Sequence, residues 1–341
     1  MYRMNLTFMF LKFSRIVVAA VKGGSWCFKL VSWRVLRRET LVFLFERLKF
    51  MSSLDKSIEF ITPQLDQIAK TDPSERNAFI IGVSGPQGSG KSYLTQHLVS
   101  RLSSIYKSIN IVGMSMDDFY LTRRAQKELS DENPNNPLIS GRGLPGTHDL
   151  PLLIDALNRI IQRAINWQIP RYDKSLFSGL GDRSPADEWL VVDQSPIDVV
   201  VFEGWFNSFT PFDNESELLI RWKKIVEISP SFVGIERENV IFLNNELERY
   251  LPVWNTFDTQ IILKTNSVEN VRTWRLEQEH KLIAEKGMGM TDEQVQAFID
   301  RYMPAYYLYY EKLLNNNSIC VGKTLSLDIS LTRQVLGSAL I

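Results

Sequence analysis

Gly85-Pro86-Gln87-Gly88-Ser89-Gly90-Lys91-Ser92 spells G-x-x-x-x-G-K-[ST], the pattern of a phosphate-cradling loop. Its glycines let the backbone take positive φ and bring N–H groups close to phosphate oxygens. Lys91 supplies a point charge for β- and γ-phosphates, and the Ser92 hydroxyl is a ligand for Mg²⁺. The flanks suit this chemistry. Ala78 to Val83 reads as a short buried strand, and Tyr93 to Tyr106 reads as a helix. The start of such a helix adds unpaired N–H groups and a positive dipole end. The segment Gly85–Ser92 is therefore the candidate nucleotide site, with ATP and Mg²⁺ as the expected ligands.

Two further strand ends carry acids. Ile109 to Met116 reads as a strand running into Asp117-Asp118-Phe119-Tyr120. Ligands in open α/β sheets bind beyond the carboxyl ends of strands. Asp117 is the candidate for orienting or deprotonating an acceptor hydroxyl; the alternative is a turn or helix-capping aspartate. Ile197 to Trp205 reads as a strand ending in Glu203, a candidate Mg²⁺ ligand acting through water. Arg142, Lys174 and Arg183 place cations on loops expected to face Gly85–Ser92. Arginine forks bind carboxylate or phosphate with parallel hydrogen bonds, so a small acidic acceptor suits them. The alternative is structural pairing with Asp149, Asp173 or Asp182.

These residues need a scaffold. Strands are expected near 78–84, 109–116, 197–203, 258–264 and 324–330. Leu54 to Ala69 carries Ile58, Ile61, Leu65 and Ile68 at helical spacing. Arg272 and Arg275 share a helix face in the C-terminal third. Ser130 to His148, rich in Asn, Pro and Gly, reads as a long loop, and long loops in compact domains are usually functional.

Composition narrows the class. The chain has 341 residues, 44% of them hydrophobic, with 39 basic and 39 acidic side chains. That balance hides two unlike parts: residues 1–50 hold ten basic and two acidic residues, and the remainder holds 29 and 37. The acidic body argues against a broad nucleic-acid surface. Basic residues break the apolar character of 1–50 too often for a membrane-spanning helix. This segment reads as an extension dispensable to the fold, with a transit peptide or a membrane-surface amphipathic helix as alternatives. The domain proper is expected over 51–341. Two cysteines and three scattered histidines leave no basis for a disulfide framework or a histidine-rich metal site. The expected location is the cytoplasm, with the nucleus as a second compartment and the mitochondrion instead if 1–50 is a transit peptide. The sequence is silent on oligomeric state.

Taken together, these segments resemble the P-loop small-molecule kinases typified by uridine kinase, phosphoribulokinase and bacterial pantothenate kinase. A narrower resemblance covers nearly all of 51–341: the plant D-glycerate 3-kinase group and its fungal ATP-dependent kinase relatives. It rests on Gly85–Ser92, Met116–Tyr120, Gly141–Asp149, Tyr172–Ser175, Gly181–Arg183, Glu203–Phe206, Trp274–Glu279 and Asp300–Pro304. The resemblance implies ATP- and Mg²⁺-dependent transfer to a hydroxyl of a small molecule, glycerate or a similar hydroxy-acid. It places Asp117 at the catalytic carboxylate and Arg142, His148, Asp149, Tyr172, Lys174 and Arg183 in the acceptor pocket. It also implies a three-layer α/β P-loop fold with a mostly parallel five-stranded sheet, order 2-3-1-4-5, and a helical lid. Lid arginines, Arg275 first, would close over ATP and neutralise charge on the transferred phosphoryl. The rival reading is a regulatory ATP-binding protein that transfers nothing. Asp117 together with the cationic loops at 142 and 171–183 weighs against it, since a switch needs neither. No N-K-x-D guanine motif accompanies Gly85–Ser92.

Overall fold

The computed structural model describes 51–341, save 230, 231, 233, 288, 316 and 317, and three strands within 1–50. Those three, β1 (Leu6–Phe10), β2 (Arg15–Lys22) and β3 (Ser25–Ser32), pair antiparallel in the order β1-β2-β3. The amphipathic-helix alternative for 1–50 is thereby corrected where the backbone is described. Ile16, Val17, Val18 and Val21 are β-branched and favour a pleated strand over a helix. Contacts divide the chain into Met1–Met51 and Ser52–Ile341.

The larger unit is organised around β4 (Phe79–Ser84). The apolar run F-I-I-G-V is buried on both faces, as befits a central parallel strand. β5 is Ile111–Ser115. An arm follows, built of two antiparallel pairs: β6 (Trp167–Ile169) with β9 (Leu190–Val192), and β7 (Tyr172–Asp173) with β8 (Asp182–Arg183). β10 (Val199–Gly204), β11 (Thr259–Thr265), β12 (Thr324–Ile329) and β13 (Val335–Leu340) complete the set. The main sheet has the order β13-β12-β11-β4-β10-β5. Its five parallel strands therefore stand as 2-3-1-4-5 in chain order. A sixth strand, β13, is added antiparallel beside β12, so the expectation of five strands is corrected. The turn before it, Ser330 to Gln334, contains no glycine, and Arg333 takes φ +66 instead. A turn without Gly or Asn left no hairpin signal to read.

Alternation along the strands sorts the core into two layers. Ile81, Val83, Val199, Val201, Ile261 and Leu263 pack with Leu94, Leu98 and Leu102 of the helix Lys91–Ile105 and with Ile61 and Leu65 of Ser53–Lys70. Ile80, Val200, Phe202 and Ile262 face an aromatic layer of Trp205, Phe206, Phe209, Tyr250, Trp254 and Tyr306. Two helices, Asn270–Lys286 and Asp292–Asp300, pack on each other after β11. Among the described residues no helix is long and apolar enough to cross a membrane. The carboxyl ends of β4, β5 and β10 meet at one end of the sheet, because the three strands run parallel.

Candidate active site

β4 delivers the chain into Gly85–Ser92. Gly88 and Gly90 have φ of +79 and +97, values that L side chains rarely adopt. A Cβ on Gly88 would stand 2.3 Å from Trp274 Cβ, so sterics also demand glycine there. Gly90 precedes the helix Lys91–Ile105 and offers no side-chain cap, which leaves first-turn N–H groups to an anion. The loop is braced from outside. Gln87 N–H donates to Tyr306 Oη at 2.9 Å, and Arg333 Nε donates to the Gly88 carbonyl at 2.7 Å. Lys91 is buried, with Nζ 3.4 Å from the Pro86 carbonyl. Burial holds its ammonium below the ordinary lysine range; Glu203 and Asp117 oppose that and Lys174 adds to it. The cation is thus surrounded by groups drawn from β5, β10 and the arm.

Ser92 Oγ donates to Glu203 Oε1 at 2.7 Å, and Ser115 Oγ reaches the same oxygen at 3.2 Å. A cavity of about 310 Å³ opens beside this pair, lined also by Thr95, Gln96 and Asp118. Hard oxygen donors next to the phosphate loop form a donor set that suits Mg²⁺.

Asp117 and Asp118 lie in a single 3₁₀ turn, Met116–Phe119, capped by Ser115. Their environments diverge. Asp117 Oδ1 accepts the Tyr120 hydroxyl at 2.8 Å, and Oδ2 accepts Lys174 Nζ. Burial raises the Asp117 carboxyl, but Lys174 and then Tyr120 outweigh it and hold it down at about 2. Asp118 pairs with Arg171 at 2.8 Å and closes the cap onto Ser115 N–H. Burial there prevails over Arg171, and its carboxyl is raised. Both carboxylates meet a cation of the arm, but Asp118 is also the capping aspartate, whereas Asp117 takes Lys174 and the Tyr120 hydroxyl.

The remaining candidates gather around Asp117. His148 is buried, bridges Tyr120 in a β-bridge and stacks on its ring at 4.7 Å. Its Nδ1 lies 2.8 Å from Tyr250 Oη, which in turn accepts Gly146 N–H at 3.0 Å. Burial pulls the imidazole down to about 3 against the pull of Asp117, so His148 is neutral. Its buried Nε2 has no hydrogen-bond partner. Asp149 caps the helix Leu150–Ile161 and pairs with Arg183 at 2.8 Å. Arg183 also donates to the Tyr120 carbonyl at 3.2 Å. Tyr172 meets the Tyr120 ring edge-on at 5.3 Å and lies under the Arg142 guanidinium at 5.7 Å. Arg142 Nη1 donates to the carbonyls of Gly179 and Leu180. The structure thus brings Asp117, Tyr172, Lys174, His148 and Arg183 into one neighbourhood through Tyr120, yet Arg183 and Asp149 are already partnered to each other.

The two packed helices carry the lid candidates. Arg272 ties them together through Asp300 at 2.7 Å and Gln296 at 3.1 Å, and pairs at 3.0 Å with Glu269 at the start of its own helix. Arg275 reaches Glu279 at 3.4 Å and lies over Phe298 at 5.4 Å, while its buried Nε has no partner. Arg301 Nη2 and Tyr302 Oη both donate to the Arg142 carbonyl, at 2.8 and 3.0 Å. The base of the lid is therefore joined directly to the Gly141–Asp149 loop.

Sequence reading passed over Tyr120, Ser115, Tyr250, Tyr306 and Arg333. Tyr120 lay within a quoted motif, yet nothing local announced that its hydroxyl would close on Asp117. Tyr306 and Arg333 brace Gly85–Ser92 from more than 200 positions away in the chain, a distance no spacing rule spans.

Comparison with known proteins agrees with this geometry. No family model matches the chain. Kinase mug58 of Schizosaccharomyces pombe is 39% identical over 266 residues, covering 78% of this chain and 92% of that one. The ATP-dependent kinase TDA10 of Saccharomyces cerevisiae is 36% identical, over 84% and 96% of the two chains. The chloroplastic D-glycerate 3-kinase of Arabidopsis thaliana is 34% identical over 69% of this chain and 48% of its own length. Among solved structures, a D-glycerate 3-kinase from Cryptococcus neoformans superposes with a TM-score of 0.75 at 37% identity, over 85% of this chain and all of that one. With a phosphate loop, a strand-end carboxylate and a cationic arm in one cleft, the chain belongs to the family of ATP-dependent P-loop kinases that contains these fungal kinases and D-glycerate 3-kinase.

Proposed function

We propose that this kinase phosphorylates a small hydroxy-acid, glycerate or a close analogue, using Mg²⁺-bound ATP. One observation carries the reading: the carboxylate at the end of β5, Asp117, is held against Lys174 of the arm, and both act electrostatically on Lys91 of the phosphate loop. A hydroxyl lodged at Asp117 therefore lies where it can meet a phosphoryl group held by Lys91. Cations around that position favour an acceptor bearing its own negative charge. The names of the Arabidopsis and Cryptococcus relatives support glycerate among such acids.

In this reading Gly85–Ser92 binds the phosphates through backbone N–H groups and Lys91. Ser92 and Glu203 would hold Mg²⁺, Glu203 through water, and such an ion would supply neutralisation of phosphate charge. Asp117 orients the acceptor hydroxyl and receives its proton. Tyr120 fixes the carboxylate, and neutral His148 backs Tyr120 by stacking. Arg275 serves the transferred phosphoryl once it leaves Glu279. Catalysis is chiefly positioning and charge stabilisation.

The test is a phosphate-transfer screen of the full chain with ATP and Mg²⁺ against glycerate, other hydroxy-acids, neutral polyols, sugars and nucleosides. Transfer to one or more hydroxy-acids in preference to neutral alcohols is expected. Transfer confined to sugars or nucleosides, or ATP binding with transfer to none of them, would refute the reading.

A further inference from the structure

The cations of the acceptor side are not equivalent. Arg183 is engaged by Asp149 and the Tyr120 carbonyl, and Arg142 by the carbonyls of Gly179 and Leu180. Lys174 alone among these three is paired with the reacting carboxylate itself. Asp117 holds Tyr120 on one oxygen and Lys174 on the other, so both oxygens carry a donor before an acceptor arrives. Lys174 is also the one placed to move. Its side chain is 55% exposed and sits where β7 gives way to a loop with positive φ at Phe177 and Ser178 and an exposed Leu180. An ammonium on a flexible four-carbon stem changes partner readily, whereas a planar guanidinium held by fixed carbonyls does not.

We propose that the acceptor's own carboxylate draws Lys174 off Asp117, and that this exchange opens Asp117 to the acceptor's hydroxyl. The inference rests on the hydroxy-acid reading above. Before the exchange Lys174 occupies Oδ2. After it, the ammonium pairs with the incoming carboxylate, and Oδ2 accepts the hydroxyl. The hydroxyl oxygen then forms its bond to the γ-phosphorus while the bond from that phosphorus to the β,γ-bridging oxygen breaks. ADP departs with that electron pair, and the hydroxyl proton passes to Oδ2. A neutral polyol brings no anion for Lys174, so Asp117 stays capped. Selection for an acid is then a condition of activation, not of affinity alone. The low carboxyl of Asp117 agrees with this, because a base held at about 2 accepts a proton poorly near neutral pH until its cationic partner leaves.

The experiment compares glycerate with glycerol as acceptors, and adds propanoate, an acid with no hydroxyl, to an ATP hydrolysis assay. Wild type and Lys174→Met are measured side by side. The preference for glycerate over glycerol should fall about 10- to 100-fold in Lys174→Met, the range for losing a hydrogen bond to a charged group, and glycerol transfer should rise. Propanoate should stimulate ATP hydrolysis by the wild type, because water then meets an uncapped Asp117, and should leave the variant's hydrolysis unmoved. Equal losses for glycerate and glycerol would overturn the exchange and make Lys174 a phosphate ligand. So would a wild type that phosphorylates glycerate yet ignores propanoate. A wild type that responds to propanoate but phosphorylates no hydroxy-acid would instead sink the functional reading and uphold the exchange.

Discussion

Gly85–Ser92 takes its shape from backbone: positive φ at Gly88 and Gly90, contact of Gly88 with Trp274, and an open helix start. The acceptor side is made instead from side-chain pairs, Asp117 with Lys174 and Tyr120, Arg183 with Asp149, and His148 with Tyr250. The first is preformed for its ligand, since backbone N–H groups need no partner exchange to meet phosphate. The second is largely paired internally, His148 Nε2 and Arg183 Nε excepted, and an acceptor must compete for groups that already hold one another. Buried polar groups left unpaired are costly, so a pocket meant to open and close keeps interim partners. The difference teaches that motif strength in sequence measures how far a site is backbone-determined, not how important it is.

The largest effect should come from breaking the preformed half. Lys91→Ala removes the point charge on the β/γ-phosphates. ATP turnover should fall about 10³-fold, the upper range for losing one transition-state donor, with ATP binding weakened in calorimetric titration. Near-normal turnover would remove Gly85–Ser92 from the mechanism.

Asp117→Asn tests the other half and should separate the two. Transfer should drop by roughly 10²-fold or more, the general-base range, while ATP affinity measured by titration stays close to wild type. Parallel loss of ATP binding would mean that the halves are coupled through a metal or structural role of Asp117.

Acid sensitivity should also belong to the acceptor side. Folding holds His148 neutral down to about pH 3, whereas an unfolded histidine titrates near 6.5. Between those values the unfolded chain binds a proton that the folded chain refuses, so stability rises with pH. This contribution is complete above 6.5 and is lost progressively as pH falls toward 3. At pH 5 the loss is about 2 kcal/mol. Denaturant melts from pH 7 to 5 should therefore show a steeper decline for wild type than for His148→Gln; matching slopes would place the acid-sensitive group elsewhere.

The smallest effect is expected from deleting residues 1–50. Every residue assigned to either half lies after Met51, and the two units have separate internal contacts. Thermal stability and ATP affinity should change little. An insoluble truncated chain, or one blind to ATP, would show that the kinase unit needs that segment.

Much of this was legible beforehand because it is local. Glycine spacing, a following Lys-Ser and apolar strands of the right length are read along a few residues, and the strand-end acids Asp117 and Glu203 follow from the same pattern. β13 was not legible, since its turn carries no Gly or Asn and four of its six residues are exposed. Nor were the braces Tyr306 and Arg333, which reach the phosphate loop only after the chain has crossed the sheet.

The sequence by itself determined the phosphate loop of the nucleotide half: residue types at fixed spacing dictate its backbone conformation and set Lys91 and Ser92 at its end, while the fold adds Glu203 and the braces Tyr306 and Arg333. Only the tertiary structure decided the acceptor half. Asp117 and Asp118 are neighbours of identical chemistry; the capping box from Ser115 claims Asp118 locally, but nothing local supplies either one's cation. The arm brings Lys174 to Asp117 and Arg171 to Asp118 from more than 50 positions away. What sets the two carboxylates apart in the folded chain is which cation lands beside each, and that is a property of packing.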